Sequence, residues 1–218
     1  MEVLIIDDHP TQIDGYKSIL SFSDVNESLN FTACHNCTEA YRVIRTAQNK
    51  YPFALAIIDY SIPPYEDQNL FNGVDVARLI KSHFPETRIA IITSHTEAIV
   101  LYNVLKKVNP QGLLVKSDID GEELLEAFSE ITKGNYYFSE SVKKAKKLLL
   151  SKEELLDRTN RKIIELLAQG IKTKNLPTHL SLSQSAVEKR KSIIKDVLGI
   201  TKGNDEDILR EVRKLGLL

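Results

Sequence analysis

Cysteine is scarce: 218 residues hold two, Cys34 and Cys37, spaced as Cys-x-x-Cys around His35-Asn36. A tetrahedral zinc site needs four ligands, and no second pair exists in the chain. Metal and redox roles are therefore set aside for this motif, which reads as a strand end running into a loop. Thr38 is placed to cap the helix that follows. Long apolar runs are also lacking. Nothing approaches the roughly 20 residues that a membrane-spanning helix needs, and no signal-peptide pattern opens the sequence. The expectation is a soluble, cytoplasmic protein without a membrane partner. Nor does one sign of charge dominate, since the formal net charge is −1. The balance hides a division. Residues 158–218 carry 13 Lys+Arg against 7 Asp+Glu, whereas residues 1–157 carry 16 against 23. An acidic front joined to a basic back points only the back at a polyanion.

What is present is a set of short apolar runs that end on chemistry. Ala54-Leu55-Ala56-Ile57-Ile58 suits a strand buried on both faces, and it stops on Asp59. Val3-Leu4-Ile5-Ile6 stops on Asp7-Asp8, Ile89-Ala90-Ile91-Ile92 on Thr93-Ser94, and Leu113-Leu114-Val115 on Lys116. In an open α/β sheet, ligands bind outside the carboxyl ends of the strands. Three carboxylates, a hydroxyl and an ammonium should therefore converge. Asp59 can attack phosphorus to give an acyl phosphate. Asp7 and Asp8 offer the oxygen ligands that Mg²⁺ takes beside phosphate and water. Thr93 can donate to a phosphoryl oxygen, and Lys116 can pair with another. Catalysis of this kind is positioning and charge neutralisation. The bland alternative, a self-satisfied Asp–Lys cluster, would leave buried carboxylates short of positive charge.

In order, the front half alternates five strand patterns with five helix patterns over residues 1–132, predicting a doubly wound five-stranded parallel α/β domain. Residues 133–157 form a partly helical linker: a Gly134-Asn135 turn signal, a Lys-rich amphipathic helix over 139–150, and Ser151-x-x-Glu154 in the form of a capping box. Residues 158–218 form a second, all-α domain. One helix runs to about Gly170 and a short one lies near 174–181. A third starts after Ser183 as N-cap, with Leu182 stapling against Val187, and closes at Gly199. A last helix, 205–215, ends at Gly216. Two short helices about a tight turn, the second basic, spell helix-turn-helix.

These residues resemble the bacterial two-component response regulators. Asp7-Asp8-His9-Pro10, Asp59 followed by Pro63, Thr93 and Lys116 are similar to a flavodoxin-like receiver over about residues 1–132. Ile163–Gly170 and Leu182–Val187 are similar to the LuxR-type (NarL/FixJ-like) helix-turn-helix domain. The resemblance implies that Asp59 takes phosphate from a partner histidine kinase. It also implies that Mg²⁺ is held by Asp8, Asp59 and the Ser61 carbonyl, with Asp7 acting through water. The chain departs from the pattern in three places. About six extra residues lie near Pro64–Asn72, as a specificity loop or as neutral surface. Leu113 stands where the family carries an aromatic switch residue. Pro177 falls within the short second helix and is tolerable only in its first turn.

On the third helix, turning Val187, Ile194 and Leu198 inward directs Ser185, Glu188, Lys189 and Ser192 toward a major groove. Arg190 and Lys191 lie on the flanks and suit phosphates, as do Lys172 and Lys174 at the start of the second helix. Ser183, at the helix start, completes the candidate DNA-binding set. The expected function is regulation of transcription: phosphorylation of Asp59 drives homodimerisation and sequence-specific binding to double-stranded DNA. One rival is a receiver whose back domain binds a protein instead, for which Glu188 speaks. A phosphatase reading fails for want of a second carboxylate two residues after Asp59, where Ser61 sits. The chain is therefore expected not to be an enzyme.

Overall fold

The apolar run before Asp59 folds as a strand in which every residue from Leu55 to Asp59 is buried. The computed structural model describes residues 1–24, 28–47, 53–150, 157–215 and 217–218. The chain forms two compact units, Met1–Thr96 with Asn103–Val142 and Glu97–Tyr102 with Lys143–Leu218. The first is built on β1 (Glu2–Ile6), β2 (Asn30–Cys34), β3 (Leu55–Asp59), β4 (Arg88–Thr93), β5 (Gly112–Val115) and β6 (Tyr137–Phe138). The strands are parallel and ordered β2-β1-β3-β4-β5-β6. Helices α1 (Pro10–Leu20), α2 (Cys37–Ala47), α3 (Gly73–His83), α4 (Ala98–Val108) and α5 (Gly121–Thr132) alternate with the strands. Central strands β1, β3, β4 and β5 are almost wholly buried, which is why each reads as an unbroken apolar run. Edge strand β2 is only partly covered and its sequence pattern is correspondingly weaker. On one face, Val3, Ile5, Leu55, Ile57 and Ile92 join Leu124, Phe128 and Ile131 of α5 in one core cluster. Each such large apolar side chain, fully buried, is worth about 1.5–3 kcal/mol.

The five expected strands are present, and a sixth adds to them. Strand β6 pairs Tyr137 with Gly112 and Phe138 with Leu113, inside the segment read from sequence as linker. Two residues are too short for a periodicity to declare itself. Thr38 is not the cap of α2. Asn36 Oδ1 accepts from Glu39 N at 2.9 Å, while Glu39 Oε2 accepts from His35 N at 2.8 Å. Both cysteines are buried and free, and burial pushes Cys34 up to about 12 and Cys37 up to about 11.

The connector contains α6 (Glu140–Leu150); the capping-box signal at Ser151–Glu154 lies outside the described residues, as does the expected stop at Gly216. The second unit carries α7 (Arg158–Ala168), α8 (Leu176–Leu180), α9 (Gln184–Val197) and α10 (Asp205–Lys214). Asp157 caps α7, accepting from Thr159 N and Asn160 N, and Gly170 follows in the left-handed conformation at φ 81°. Pro177 sits in the first turn of α8, where its missing N–H costs nothing. Ser183 caps α9 by accepting from Ala186 N at 3.2 Å. The stretch between α8 and α9 turns through left-handed Ser181, giving the helix-turn-helix that the sequence suggested.

Candidate phosphoacceptor site and recognition helix

In the strand order β2-β1-β3-β4-β5 the strands stay parallel but are laid down to opposite sides of β1, β2 on one side and β3 onward on the other, and that switch opens a crevice at the carboxyl ends of β1 and β3. Ile6 is in register with Ile58, so the next residues, Asp7 and Asp59, stand level. Gly73, the first residue of α3, closes the floor. A Cβ there would lie 2.1 Å from the Asp59 carbonyl oxygen, so only glycine lets α3 approach β3 this closely.

Asp59 is 5% exposed and Asp7 1% exposed. Lys116 Nζ lies 2.6 Å from Asp59 Oδ1 and 3.4 Å from Asp7 Oδ2. Asp59 Oδ2 accepts from Ser61 N at 2.7 Å, and Asp7 Oδ1 accepts from His9 N at 2.9 Å. Burial pushes the Asp59 carboxyl above its usual range; Lys116 and Ser61 oppose that rise, while the Asp7 charge adds to it. Burial works against the Lys116 ammonium, but Asp59 and Asp7 outweigh it and hold the group above its usual value. The site thus brings together Asp7, Asp59 and Lys116, one ammonium between two carboxylates.

Asp8 completes an acidic excess. Its Oδ1 is buried with no hydrogen bond, although the His9 ring nitrogen Nδ1 stands 2.9 Å away. Ligand atoms of Asp7, Asp8 and His9 lie within 4.8 Å of one another. A third carboxylate, an orphaned oxygen and hard oxygen donors fit a divalent cation such as Mg²⁺. His9 was not singled out as a ligand from the sequence, and the Asp59 carboxylate lies outside this close side-chain group.

Thr93 ends β4, is buried, and accepts from His95 N at 3.0 Å through Oγ1. Since Asp59 pairs with Ile92, Thr93 stands one step beyond Asp59 on the adjacent strand. Leu113, in place of an aromatic switch, is wholly buried in mid-sheet. Tyr16, on α1, is half-buried and donates to Gln12 Oε1 at 2.8 Å. Burial and the charges of Asp7 and Asp59 raise its hydroxyl pKa. The extra residues after Asp59 fold back on themselves. Tyr65 and Leu70 exchange backbone hydrogen bonds of 2.7 and 3.1 Å around one 3-10 turn, and the Tyr65 ring stands edge-on to Tyr41 at 5.7 Å.

On the recognition helix α9, Ser183, Ser185, Glu188, Lys189 and Ser192 are exposed, as are Lys172 and Lys174 beside the preceding 3-10 turn. Two candidate phosphate contacts are otherwise engaged. Lys191 is buried, with Nζ 2.7 Å from Asp205 Oδ1 and donating to Thr173 Oγ1 at 2.7 Å. Arg190 donates to Asp157 Oδ1 at 2.6 Å and to Asn160 Oδ1 at 3.0 Å, tying α9 to the start of α7. The signal for Lys191 was available. It lies four residues after Val187 and three before Ile194, on the same helix face. Residue type suggested solvent and position said core.

Comparison with known proteins adds an independent line. The response regulator receiver domain matches residues 3–129. Oxygen regulatory protein NreC of Staphylococcus carnosus is 28% identical over 212 residues, covering 92% of each chain, and NreC of Staphylococcus aureus is 27% identical over the same span. Among solved structures, a response regulator RcsB–DNA complex superimposes with a TM-score of 0.64 at 24% identity, covering 98% of each chain. RcsB of Salmonella enterica serovar Typhimurium, bound to a promoter with the phosphomimetic BeF3−, gives 0.65 at 22% identity and 97% coverage of each. These structural likenesses establish a common fold through both units. With more than half of its length matched at the receiver, and its acids and lysine gathered at the switch point, the chain belongs to the response regulator receiver family.

Proposed function

We propose that this protein is a two-component response regulator, a receiver over 1–132 joined by the 133–157 linker to a DNA-binding domain over 158–218. The observation that carries the reading is the Lys116 ammonium set between Asp59 and Asp7 at the β1/β3 switch point. An Asp59 oxygen attacks the phosphorus of a kinase phosphohistidine; the P–O bond forms as the P–N bond breaks, leaving an acyl phosphate and a free imidazole. Mg²⁺, when bound, would supply the missing positive charge, held by Asp8, Asp59 and the Ser61 carbonyl with Asp7 acting through water. Lys116 exchanges its contact with Asp59 for a phosphoryl oxygen, and the Thr93 hydroxyl turns from His95 N to donate to another. Asp59 accepts one group per activation, so the protein is a switch and not a turnover enzyme. The new contacts favour a state that dimerises and presents α9 to the major groove. With a kinase and the chromosome as partners, its place of work is the cytoplasm.

Incubation with Mg²⁺ and a small phosphodonor should add one phosphoryl mass to the intact chain, and Asp59→Asn should abolish the gain. Equal labelling of the variant would overturn the assignment. One observation favours a second reading, in which the back domain binds a protein. With Lys191 buried and Arg190 paired, α9 offers fewer cations to phosphates than its sequence promised. Titration of the phosphorylated protein with duplex DNA at several salt concentrations separates the two. Steep loss of affinity with salt supports DNA, and absent or salt-independent binding supports the protein partner.

A further inference from the structure

Two residues beyond Lys116, the chain grips the start of the connector helix. Asp118 ends the 3-10 turn Lys116–Asp118. Its Oδ2 accepts from Ser139 Oγ at 2.7 Å and from Ser141 N at 2.8 Å, and its Oδ1 accepts from Ser141 Oγ at 2.8 Å. Ser139 immediately precedes α6 and is buried. Its hydroxyl oxygen also accepts from Val115 N at 3.1 Å, and its own N–H donates to Leu113 O at 3.1 Å. Val115 and Asp118, the residues that bracket the turn carrying Lys116, are thus both tied to one serine at the mouth of α6. The carboxylate stands where a helix has free N–H groups and favours negative charge. The contact closes over 21 to 23 residues of sequence.

We propose that Asp118 is a positioning residue that transmits the state of the phosphoacceptor site to the first turn of the connector helix α6. The inference rests on the response-regulator reading above and names how that site is read out. Lys116 is held by Asp59 and Asp7, and a phosphoryl group on Asp59 draws its ammonium outward to a doubly charged oxygen cluster. The backbone of Lys116 has little freedom to follow alone, because Val115 and Asp118 on either side are pinned to Ser139. Movement of the turn therefore misaligns the Asp118 hydrogen bonds to Ser139 and Ser141 together, and α6 loses its cap. Without an aromatic at position 113, this route needs no ring to reorient.

The test is hydrogen exchange of the full-length protein with and without beryllium fluoride and Mg²⁺, with binding at the acceptor site read separately from the bound fluorine resonance. In the wild type, occupancy should speed exchange of the amides at 140–142 by about fivefold, the scale expected for loss of a helix cap. Asp118→Ala should exchange rapidly in both conditions, yet still gain one phosphoryl group at close to the wild-type rate. Ser141→Ala, which removes a single hydroxyl, should lie between and serves if the aspartate variant fails to fold. Occupancy without a change at 140–142, or a wild-type response in Asp118→Ala, overturns the proposal while leaving the function intact. No bound fluoride and no phosphorylation overturns the response-regulator reading itself, and the coupling with it.

Discussion

The Lys191 ammonium, on a recognition helix expected to point its cations at DNA, lies 2.7 Å from Asp205 Oδ1 at the start of α10. Thr173 joins them, accepting from Lys191 and donating to Asp205 Oδ2 at 2.5 Å. Three segments distant in sequence are thereby braced: the 3-10 turn Thr173–Asn175, helix α9 and helix α10.

Lys191→Met keeps the apolar stem and deletes the charge. It should destabilise the full chain in urea by roughly 1–3 kcal/mol, because Asp205 and Thr173 lose the donor between them. The double variant Lys191→Met/Asp205→Asn should recover part of that loss. A Lys191 that served mainly as a phosphate contact would leave stability unchanged and reduce the salt slope of DNA binding instead.

Asp205 also predicts an acid dependence. Burial raises its carboxyl, but hydrogen bonds from Lys191 and Thr173 outweigh burial and hold it below the usual carboxylate range. A depressed acid contributes stability that is present above its unfolded value of about 4 and is lost as pH falls through the folded value. Urea midpoints measured from pH 6 to 3 should therefore fall less steeply for Asp205→Asn than for the wild type. Parallel curves would remove Asp205 from the acid transition.

Asp59 has the opposite sign. Its folded pKa is raised, chiefly by burial, so the folded state holds its proton more tightly than the unfolded chain. Stability linked to that proton is present at low pH and is lost as pH rises from about 4 through the folded value. At neutral pH without divalent cations, Asp59→Asn should be more stable than the wild type in thermal melts. Mg²⁺ at a hundred times its Kd should stabilise the wild type by about 2.7 kcal/mol, and it should act more weakly on Asp59→Asn. If Mg²⁺ shifts both proteins equally, Asp59 does not belong to the cation site.

What the sequence discloses follows from how local each signal is. The strand ends were legible because a carboxylate or ammonium closing an apolar run is conspicuous, and parallel topology then brings those ends together. The Ser183 cap was legible because a serine stands just before an apolar-periodic run and bonds only three residues on, to Ala186 N. Asn36 was passed over because Thr38 is an equally good cap by type. Strand β6 was hidden by its brevity, and the Asp118 grip by its span, since Ser139 and Ser141 lie more than twenty residues away. Lys191 shows residue type misleading where spacing was right: a lysine at a stripe position is buried when a partner such as Asp205 waits for it.

Glu188 is the exposed acid on the surface of α9 assigned to the groove. Its Oε1 accepts from Gln184 Nε2 at 3.0 Å, and Lys191 Nζ is 3.8 Å from its Oε2. Because the Lys191 ammonium is already taken by Asp205 and Thr173, that second contact leaves Glu188 largely uncompensated; an i,i+3 pair along a helix is worth only about 0.2–0.5 kcal/mol in any case. A carboxylate at this place repels phosphates but can accept a hydrogen bond from cytosine N4, so it lowers general affinity and raises selectivity. Glu188→Lys should therefore strengthen binding to random duplex DNA and steepen the salt slope by about one charge. The affinity gap between a selected site and a scrambled one should narrow. Titrating both proteins against both duplexes decides the matter, because a ratio that survives the substitution means that Glu188 reads no base.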